Sequence, residues 1–141
     1  KPIVFKNERI RARESINRGI EFKAIGSDID ENAVALTLEN AKKAGVEEFV
    51  TAKAADISDF SPATERGIIV TNPPYGERLL DIDEAKRLYG VCGRVFEKKH
   101  GYRYSVISPD EQFEQLFGRP ADKRRKLYNG MLKCNLYMYF K

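Results

Sequence analysis

Four consecutive residues, Asn72-Pro73-Pro74-Tyr75, carry the most specific chemical signal in the sequence. The two prolines remove two backbone donors and fix two φ angles, so the loop is expected to be stiff. The Asn72 side-chain oxygen and the Pro73 carbonyl can both accept hydrogen bonds from one amino group, which makes its nitrogen more nucleophilic. Tyr75 offers a ring on which a base turned out of its stack can lie. The simpler alternative is a rigid strand-to-helix connection with a surface tyrosine.

Two carboxylates are expected at the ends of neighbouring strands. Asp28 is placed to accept two hydrogen bonds from a ribose diol. Asp56 can accept from an exocyclic amine such as adenine N6. Ile29 and Ile57, each next to one of these acids, could hold a flat ring between apolar surfaces. Either acid alone would more simply be a turn or cap residue, so it is their convergence with Asn72 that indicates a binding site.

The elements that must position these residues alternate along the chain. Hydrophobic periodicity, with Asp30 as an N-cap and Gly45 as a C-cap, predicts the second helix. Asn129-Gly130 predicts a hairpin. The predicted helices are 6–18, 32–44, 84–98 and 110–117, and the predicted strands are 22–27, 49–54, 67–71, 102–108, 124–128 and 132–140.

This order predicts an α/β fold with a mostly parallel sheet and an antiparallel carboxyl-terminal hairpin. The first strand, 22–27, is expected to be buried. Ligands of such sheets bind at the carboxyl ends of the strands, which is where Asp28, Asp56 and Asn72 fall.

Composition restricts the class of protein further. The 141 residues allow one domain, and 42% hydrophobic content can bury a core. No apolar run reaches the roughly 18 residues that a membrane span needs. Cys92 and Cys134 lie far apart and His100 is the single histidine, so a disulfide framework or a metal centre is not expected. The cysteine usage favours a reducing, cytoplasmic location.

Basic charge is concentrated at the two ends of the chain. Residues 99–141 carry nine basic and four acidic side chains. The densest run is Lys123-Arg124-Arg125-Lys126, followed by Tyr128, Tyr137 and Tyr139. Cations beside aromatic rings suit contacts with an RNA backbone and stacking on its bases. The equally weighted alternative is a solvated hairpin edge whose charges block strand addition.

Four segments together resemble one family. They are GSDIDENAVALTLENAKKAG at 26–45, AADISDF at 54–60, TNPPYGERL at 71–79 and KRRKLYNGMLKCNLYMYF at 123–140. They are similar to the RNA methylase family whose members usually carry an amino-terminal THUMP domain. That family uses S-adenosylmethionine to modify guanine N2 in ribosomal or transfer RNA. The resemblance implies a Rossmann-like class I methyltransferase fold and a reaction that needs no metal.

The resemblance also implies roles for individual residues. Asp28 would hold the cofactor ribose, Ile29 and Ile57 would pack on its adenine, and Asp56 would bind the adenine amine. The catalytic segment would be Asn72, Pro73, Pro74 and Tyr75, with Asn72 and Pro73 on the target amine and Tyr75 stacked on the base. Lys123, Arg124, Arg125 and Lys126 would contact RNA. Glu77 and Arg78 match the family's extension of the motif without an assigned role.

The family's first strand and glycine-rich loop have no match in this sequence. Residues 1–141 are therefore expected to form one partial methyltransferase catalytic domain, inactive by itself. The missing strand would lie between the strands that end at Asp28 and Val70, leaving two open edges. We expect those strands to pair in a changed order, to associate with another chain, or to belong to a longer polypeptide. An intact glycine-loop strand built from residues 1–20 would contradict this expectation.

Two other functions fit parts of the pattern. The NPPY tetrapeptide is shared by DNA adenine-N6 and protein glutamine methyltransferases, so it indicates the reaction better than the substrate. Alternatively, the chain is a non-catalytic RNA-binding module in which the NPPY loop is only structural. Such a module would bind RNA with a salt-dependent affinity and would need no cofactor.

Overall fold

The computed structural model describes residues 2–17, 19, 21–62, 64–75, 82–97 and 101–140. They form two compact units, Lys1–Asp56 and Ile57–Lys141. Each unit contains its own sheet. The expectation that residues 1–141 form a single domain stays a prediction.

Unit 1 contains a two-stranded parallel sheet. The elements, in chain order, are α1 (Pro2–Glu14), β1 (Ala24–Asp28), α2 (Glu31–Ala44), a short 3-10 turn (Glu47–Phe49) and β2 (Val50–Ala54). Register runs from Ala24 opposite Val50 to Asp28 opposite Ala54. Because α2 connects the two strands, both run in the same direction and end at the same edge.

The predicted caps of α2 are confirmed. The Asp30 side chain accepts a hydrogen bond from the Asn32 backbone N–H at 2.8 Å, which satisfies one of the helix's unpaired donors. Gly45 has φ 70° and donates its N–H to the Lys42 carbonyl at 3.0 Å. Glycine reaches this left-handed conformation without the steric penalty of a Cβ.

The prediction that the first strand is buried is wrong. Ile25 in β1 is 61% exposed, and Phe22 just before it is 55% exposed. A strand buried on both faces needs cover from two sides. In unit 1, α2 packs on β1 and β2, and one helix covers one face of such a pair.

Unit 2 contains a four-stranded mixed sheet with the order β3-β4-β6-β5. Its elements are a 3-10 turn (Ile57–Asp59), β3 (Gly67–Thr71), α3 (Ile82–Val95), β4 (Tyr102–Ser108), α4 (Phe113–Phe117), β5 (Lys123–Asn129) and β6 (Leu132–Tyr139). β3 and β4 are parallel, whereas β6 is antiparallel to both β4 and β5. The predicted order of parallel strands followed by an antiparallel hairpin is confirmed.

The hairpin turn lies one residue later than the sequence pattern indicated. Asn129 pairs with Leu132 in the ladder, so Gly130 and Met131 are the two turn residues. Gly130 has φ 61°. The first position of such a two-residue turn needs positive φ, which glycine adopts readily. Asn129 is therefore the last residue of β5 and not part of the turn.

The two strands expected to have open edges, β1 and β3, each pair with a single strand among the described residues. Ile68 and Val70 on β3 are exposed. Residues 2–14, where an intact glycine-loop strand would have contradicted the sequence analysis, form helix α1. The first helix was predicted to end at residue 18, which lies outside the described residues.

An aromatic core holds α3 and α4 against the sheet of unit 2. Its largest fully buried side chains include Tyr89, Phe96, Phe113 and Tyr137. Cys92 is buried within this cluster, and burial raises the pKa of its thiol to about 11. The thiol therefore stays protonated at neutral pH and acts as a small apolar side chain. Cys92 and Cys134 are both free.

Two glycines in α3 differ in how closely they approach α4. A Cβ placed on Gly93 would lie 1.9 Å from the Phe117 carbonyl oxygen, a clash that only backbone movement can relieve. A Cβ on Gly90 would lie 3.6 Å from the Leu116 carbonyl oxygen, an ordinary contact. The helices therefore pack closely at Gly93 and have room at Gly90.

We predict that Gly93→Ala lowers the free energy of unfolding by about 1–3 kcal/mol or more, because the core becomes overpacked. Gly90→Ala is the matched control and should leave stability unchanged or raise it by up to about 1 kcal/mol through helix propensity. Urea denaturation followed by circular dichroism measures both. Equal effects of the two substitutions would contradict the close packing at Gly93.

Candidate active site

Two of the predicted acids lie at the same edge of the unit 1 sheet. Asp28 ends β1 opposite Ala54, and Asp56 follows two residues after Ala54. Both are exposed. The Ala55 N–H donates to the Asp28 carbonyl at 2.9 Å, which ties the two strand ends together.

A turn fixes the orientation of the Asp28 carboxylate. Its Oδ1 accepts the Asp30 N–H at 3.0 Å. A carboxylate has about four acceptor positions, so one such bond leaves capacity for a ligand. A role of Asp28 in the turn is therefore compatible with a role in ligand binding.

The two isoleucines predicted to flank a ring belong to different units. Ile29, beside Asp28, is 73% exposed and available to a flat ligand. Ile57 begins unit 2, where it packs against the aromatic core. Unit 1 thus brings together Asp28, Ile29 and Asp56.

The Asn72–Tyr75 segment directly follows β3 in unit 2. Asn72 is exposed, Pro73 is buried and Tyr75 is half-buried. The Tyr75 hydroxyl donates a hydrogen bond to Asn72 Oδ1. This contact holds the amide while leaving its oxygen a second lone pair for another donor. This hydrogen bond between residues three apart was not predicted from the sequence.

Burial raises the pKa of the Tyr75 phenol above its ordinary value, and the neighbouring Cys134 raises it further. A hydrogen bond with Asn129 acts in the opposite direction. The raised pKa further favours the protonated hydroxyl, which is the form that donates to Asn72.

A cavity of about 420 Å³ lies next to Tyr75, wholly within unit 2. This volume is in the range of small-molecule pockets. Its lining residues are Tyr75, Ile82, Ala85, Tyr89, Pro109, Asp110, Glu111, Leu132, Lys133 and Asn135. Among them, only Tyr75 was predicted from the sequence to be a site residue.

Strand direction explains why these residues meet. β4 ends at Ser108, which pairs with Asn135 near the beginning of β6. Because β6 is antiparallel to β4, its first residues lie at the edge where β3 and β4 end. The cavity is therefore at the carboxyl ends of the parallel strands, the edge at which sheets of this type bind ligands.

The basic run Lys123–Lys126 lies on β5, which is exposed along its whole length. Side chains alternate between faces, so Arg124 and Lys126 point to one face of the sheet and Lys123 and Arg125 to the other. Arg124 is paired with Glu114 on α4. RNA binding by the run as a whole stays a prediction.

Two of the three tyrosines proposed to accompany this run are not available for stacking. Tyr137 is 2% exposed and Tyr139 is 5% exposed, because both belong to the aromatic core. Tyr128 is 64% exposed. All three tyrosines lie on the same face of the sheet. Phe113 and Phe117 of α4 stack on Tyr137 and Tyr139, whereas Tyr128 lies beyond this cover, which the sequence alone does not show.

Within the described ranges, no group of three or more His, Cys, Asp and Glu side chains could hold a metal ion. None of the helices in that part of the chain is long and apolar enough to cross a membrane.

Comparisons with known proteins identify relatives over nearly the whole chain. The model of the RMKL-like methyltransferase domain matches residues 2–138. YpsC of Bacillus subtilis, named as a candidate RNA methyltransferase, is 34% identical over 137 residues, which are 97% of this chain and 36% of YpsC. The ribosomal RNA large subunit methyltransferase K/L of Shewanella baltica is 39% identical over 134 residues, which are 94% of this chain and 19% of that protein.

A solved structure agrees with these relatives. SMU.472, crystallised as a complex with SAH, has a TM-score of 0.85 and 36% sequence identity, over 99% of this chain and 37% of its own. The chain thus spans little more than a third of SMU.472 and of YpsC, and about a fifth of methyltransferase K/L. The similarity confirms the predicted α/β fold of the Rossmann-like, class I methyltransferase type. The chain belongs to the RMKL-like methyltransferase domain family.

Proposed function

We propose that the protein is an S-adenosylmethionine-dependent methyltransferase that modifies an exocyclic amine of an RNA base, guanine N2 in ribosomal or transfer RNA. One observation carries the proposal: Asn72 and Pro73 stand at the end of β3, beside a cavity that Tyr75 lines. Membership of the family and the RNA methyltransferase names of its relatives support it.

Unit 1 supplies side chains that fit the adenosine part of the cofactor. Asp28 has acceptor capacity for a ribose diol, and Asp56 at the same edge can accept from the adenine amine. Exposed Ile29 can pack on the adenine ring. The bound cofactor supplies an electrophilic methyl group on a sulfonium.

Unit 2 supplies the groups that would hold and activate the target amine. Asn72 Oδ1 and the Pro73 carbonyl can accept both hydrogens of one NH2 group, which aligns its lone pair and increases its electron density. The Tyr75 hydroxyl holds Asn72 in place. Since hydrogen bonding and alignment are sufficient for these tasks, no metal ligand is needed.

The acids of the cavity favour guanine over adenine. Asp110 and Glu111 both line it. Besides the N2 amine that Asn72 and Pro73 would hold, the Watson–Crick edge of guanine presents the N1–H donor, which a carboxylate can accept. Adenine presents an unprotonated N1 at the corresponding position, and a carboxylate would repel that lone pair. One oxygen of Asp110 already accepts the Gln112 N–H at 2.7 Å, which orients the side chain.

We predict that Asn72→Ala in the whole protein lowers the rate of methyl transfer to RNA by about 100-fold or more, the effect typical of losing one positioned hydrogen bond in a transition state. RNA affinity should stay nearly unchanged, because Asn72 contacts one amine. Transfer of labelled methyl groups and RNA binding are measured on the same preparations.

Unchanged turnover would remove Asn72 from the mechanism. Label that appears in DNA or protein, and not in RNA, would establish one of the other methyltransferase functions. Salt-dependent RNA binding without any transfer by the unmodified protein would favour the non-catalytic module.

We predict that Asp28→Ala in the whole protein weakens the binding of S-adenosylhomocysteine by at least about tenfold, since loss of hydrogen bonds to a charged acceptor costs about 1.5–3 kcal/mol. Asp30→Ala is the matched control. It removes a carboxylate two residues away that caps α2, so it should reduce stability and leave affinity unchanged. Calorimetric titration measures both. Equal affinity losses would mean that Asp28 acts only through the turn.

A further inference from the structure

Three exposed side chains form a continuous surface on one face of the β5–β6 hairpin. We define this surface, made of Lys126, Tyr128 and Lys133, as the rim face. Tyr128 lies directly opposite Lys133 in the register, and Lys126 lies two residues from Tyr128 on the same strand. Directly opposite residues project from the same face, as do residues two apart.

Contacts within the rim face combine positive charge with an aromatic plane. The Lys126 Nζ is 5.3 Å from the centre of the Tyr128 ring. This cation–π contact restrains the ring, while its 64% exposure leaves surface for a further planar group. Lys133 is exposed beside it.

The rim face borders the cavity beside Tyr75. Lys133 is itself a lining residue, together with Asn135, which lies opposite Lys126. Because β6 runs antiparallel to β4, both residues are at the edge where β4 ends. The rim face is therefore continuous with the cavity that the proposed function assigns to the target base.

Acidic side chains line the cavity on one side, and basic side chains form the rim face, with Lys133 belonging to both. Asp110 and Glu111 line the cavity and repel phosphate, whereas Lys126 and Lys133 attract it. Arg124, which shares their face, is paired with Glu114 and lies 5.9 Å from the Tyr137 ring, so it is held within the fold. A nucleotide can thus place its base in the cavity and its backbone on the rim face.

We propose that the rim face binds the nucleotide adjoining the target base in single-stranded RNA. Tyr128 stacks on the adjoining base, and Lys126 and Lys133 contact the flanking phosphates. The inference rests on the proposed function, because it takes the cavity as the position of the target. An unpaired strand is required, since a base inside a duplex is already stacked on both sides.

The alternation of side chains along β5 supplies a matched test. Lys126→Gln/Lys133→Gln removes two charges from the rim face, and Lys123→Gln/Arg125→Gln removes two from the opposite face of the same hairpin. Both replace exposed side chains, so both proteins should fold, which circular dichroism checks. Affinity for a fluorescent single-stranded RNA of about ten nucleotides, within the site size of such binding surfaces, is measured with the whole protein over a salt series.

We expect the rim-face double variant to reduce the slope of log affinity against log salt by about 1.4, the value for two phosphate contacts on a single strand. The opposite-face variant should change it by less than half as much. Tyr128→Ala should weaken binding by about fivefold or more with an unchanged slope, because it removes stacking and no charge.

Equal slope changes for the two double variants would overturn the inference in favour of diffuse attraction. Binding unaffected by the rim-face variants, in a protein whose RNA methylation is lost with Asn72→Ala, would overturn the rim face while leaving the proposed function in place. The expected binding pattern without any methyl transfer by the unmodified protein would retain the RNA surface and remove the proposed reaction. Tighter binding of DNA of the same sequence would overturn the assignment to RNA.

Discussion

The antiparallel pairing of β6 with β4 is the constraint on which the rest of unit 2 depends. It places Tyr139 opposite Tyr104 and Tyr137 opposite Val106, so the aromatic core forms on the face that α3 and α4 cover. The same pairing brings the beginning of β6 to the edge where β4 ends. The pairing of β4 with β6 therefore positions residues of both the aromatic core and the cavity lining.

Close packing against α4 restrains α3, whose residues Ala85 and Tyr89 line the cavity. Gly93 allows α3 to approach α4, and Tyr89 on the same helix contacts Phe113 at 5.1 Å between ring centres before it reaches the cavity. The proline pair adds rigidity on the side of β3. Asn72 is thus an exposed polar residue on a support whose movements are restricted by burial, which is the condition for a hydrogen bond to align a reacting group.

Local sequence signals predicted the helices and strands of this structure. Which of their residues are buried depends on strand register and on packing between elements, which the sequence does not show. The strands 67–71 and 102–108 and both caps of α2 were predicted at their observed limits, because their signals lie within a few residues. The exposure of Ile25 and the burial of Tyr137 depend on which distant elements pack there. The position of Asp110 in the cavity lining also depends on distant elements, because residues of β6 line the cavity with it.

The alternation of side chains along β5 also determines where the positive charges of the Lys123–Lys126 run lie. As a sequence it presents four adjacent cations. In the sheet they divide between two faces, and the pairing of Arg124 with Glu114 offsets one charge on the helix-covered face. Lys133, on the other strand of the hairpin, lies on that face and adds a positive charge next to the cavity. The electrostatic field that a polyanion meets at this edge therefore depends on the register of β5 and β6. The length of the basic run does not by itself determine that field.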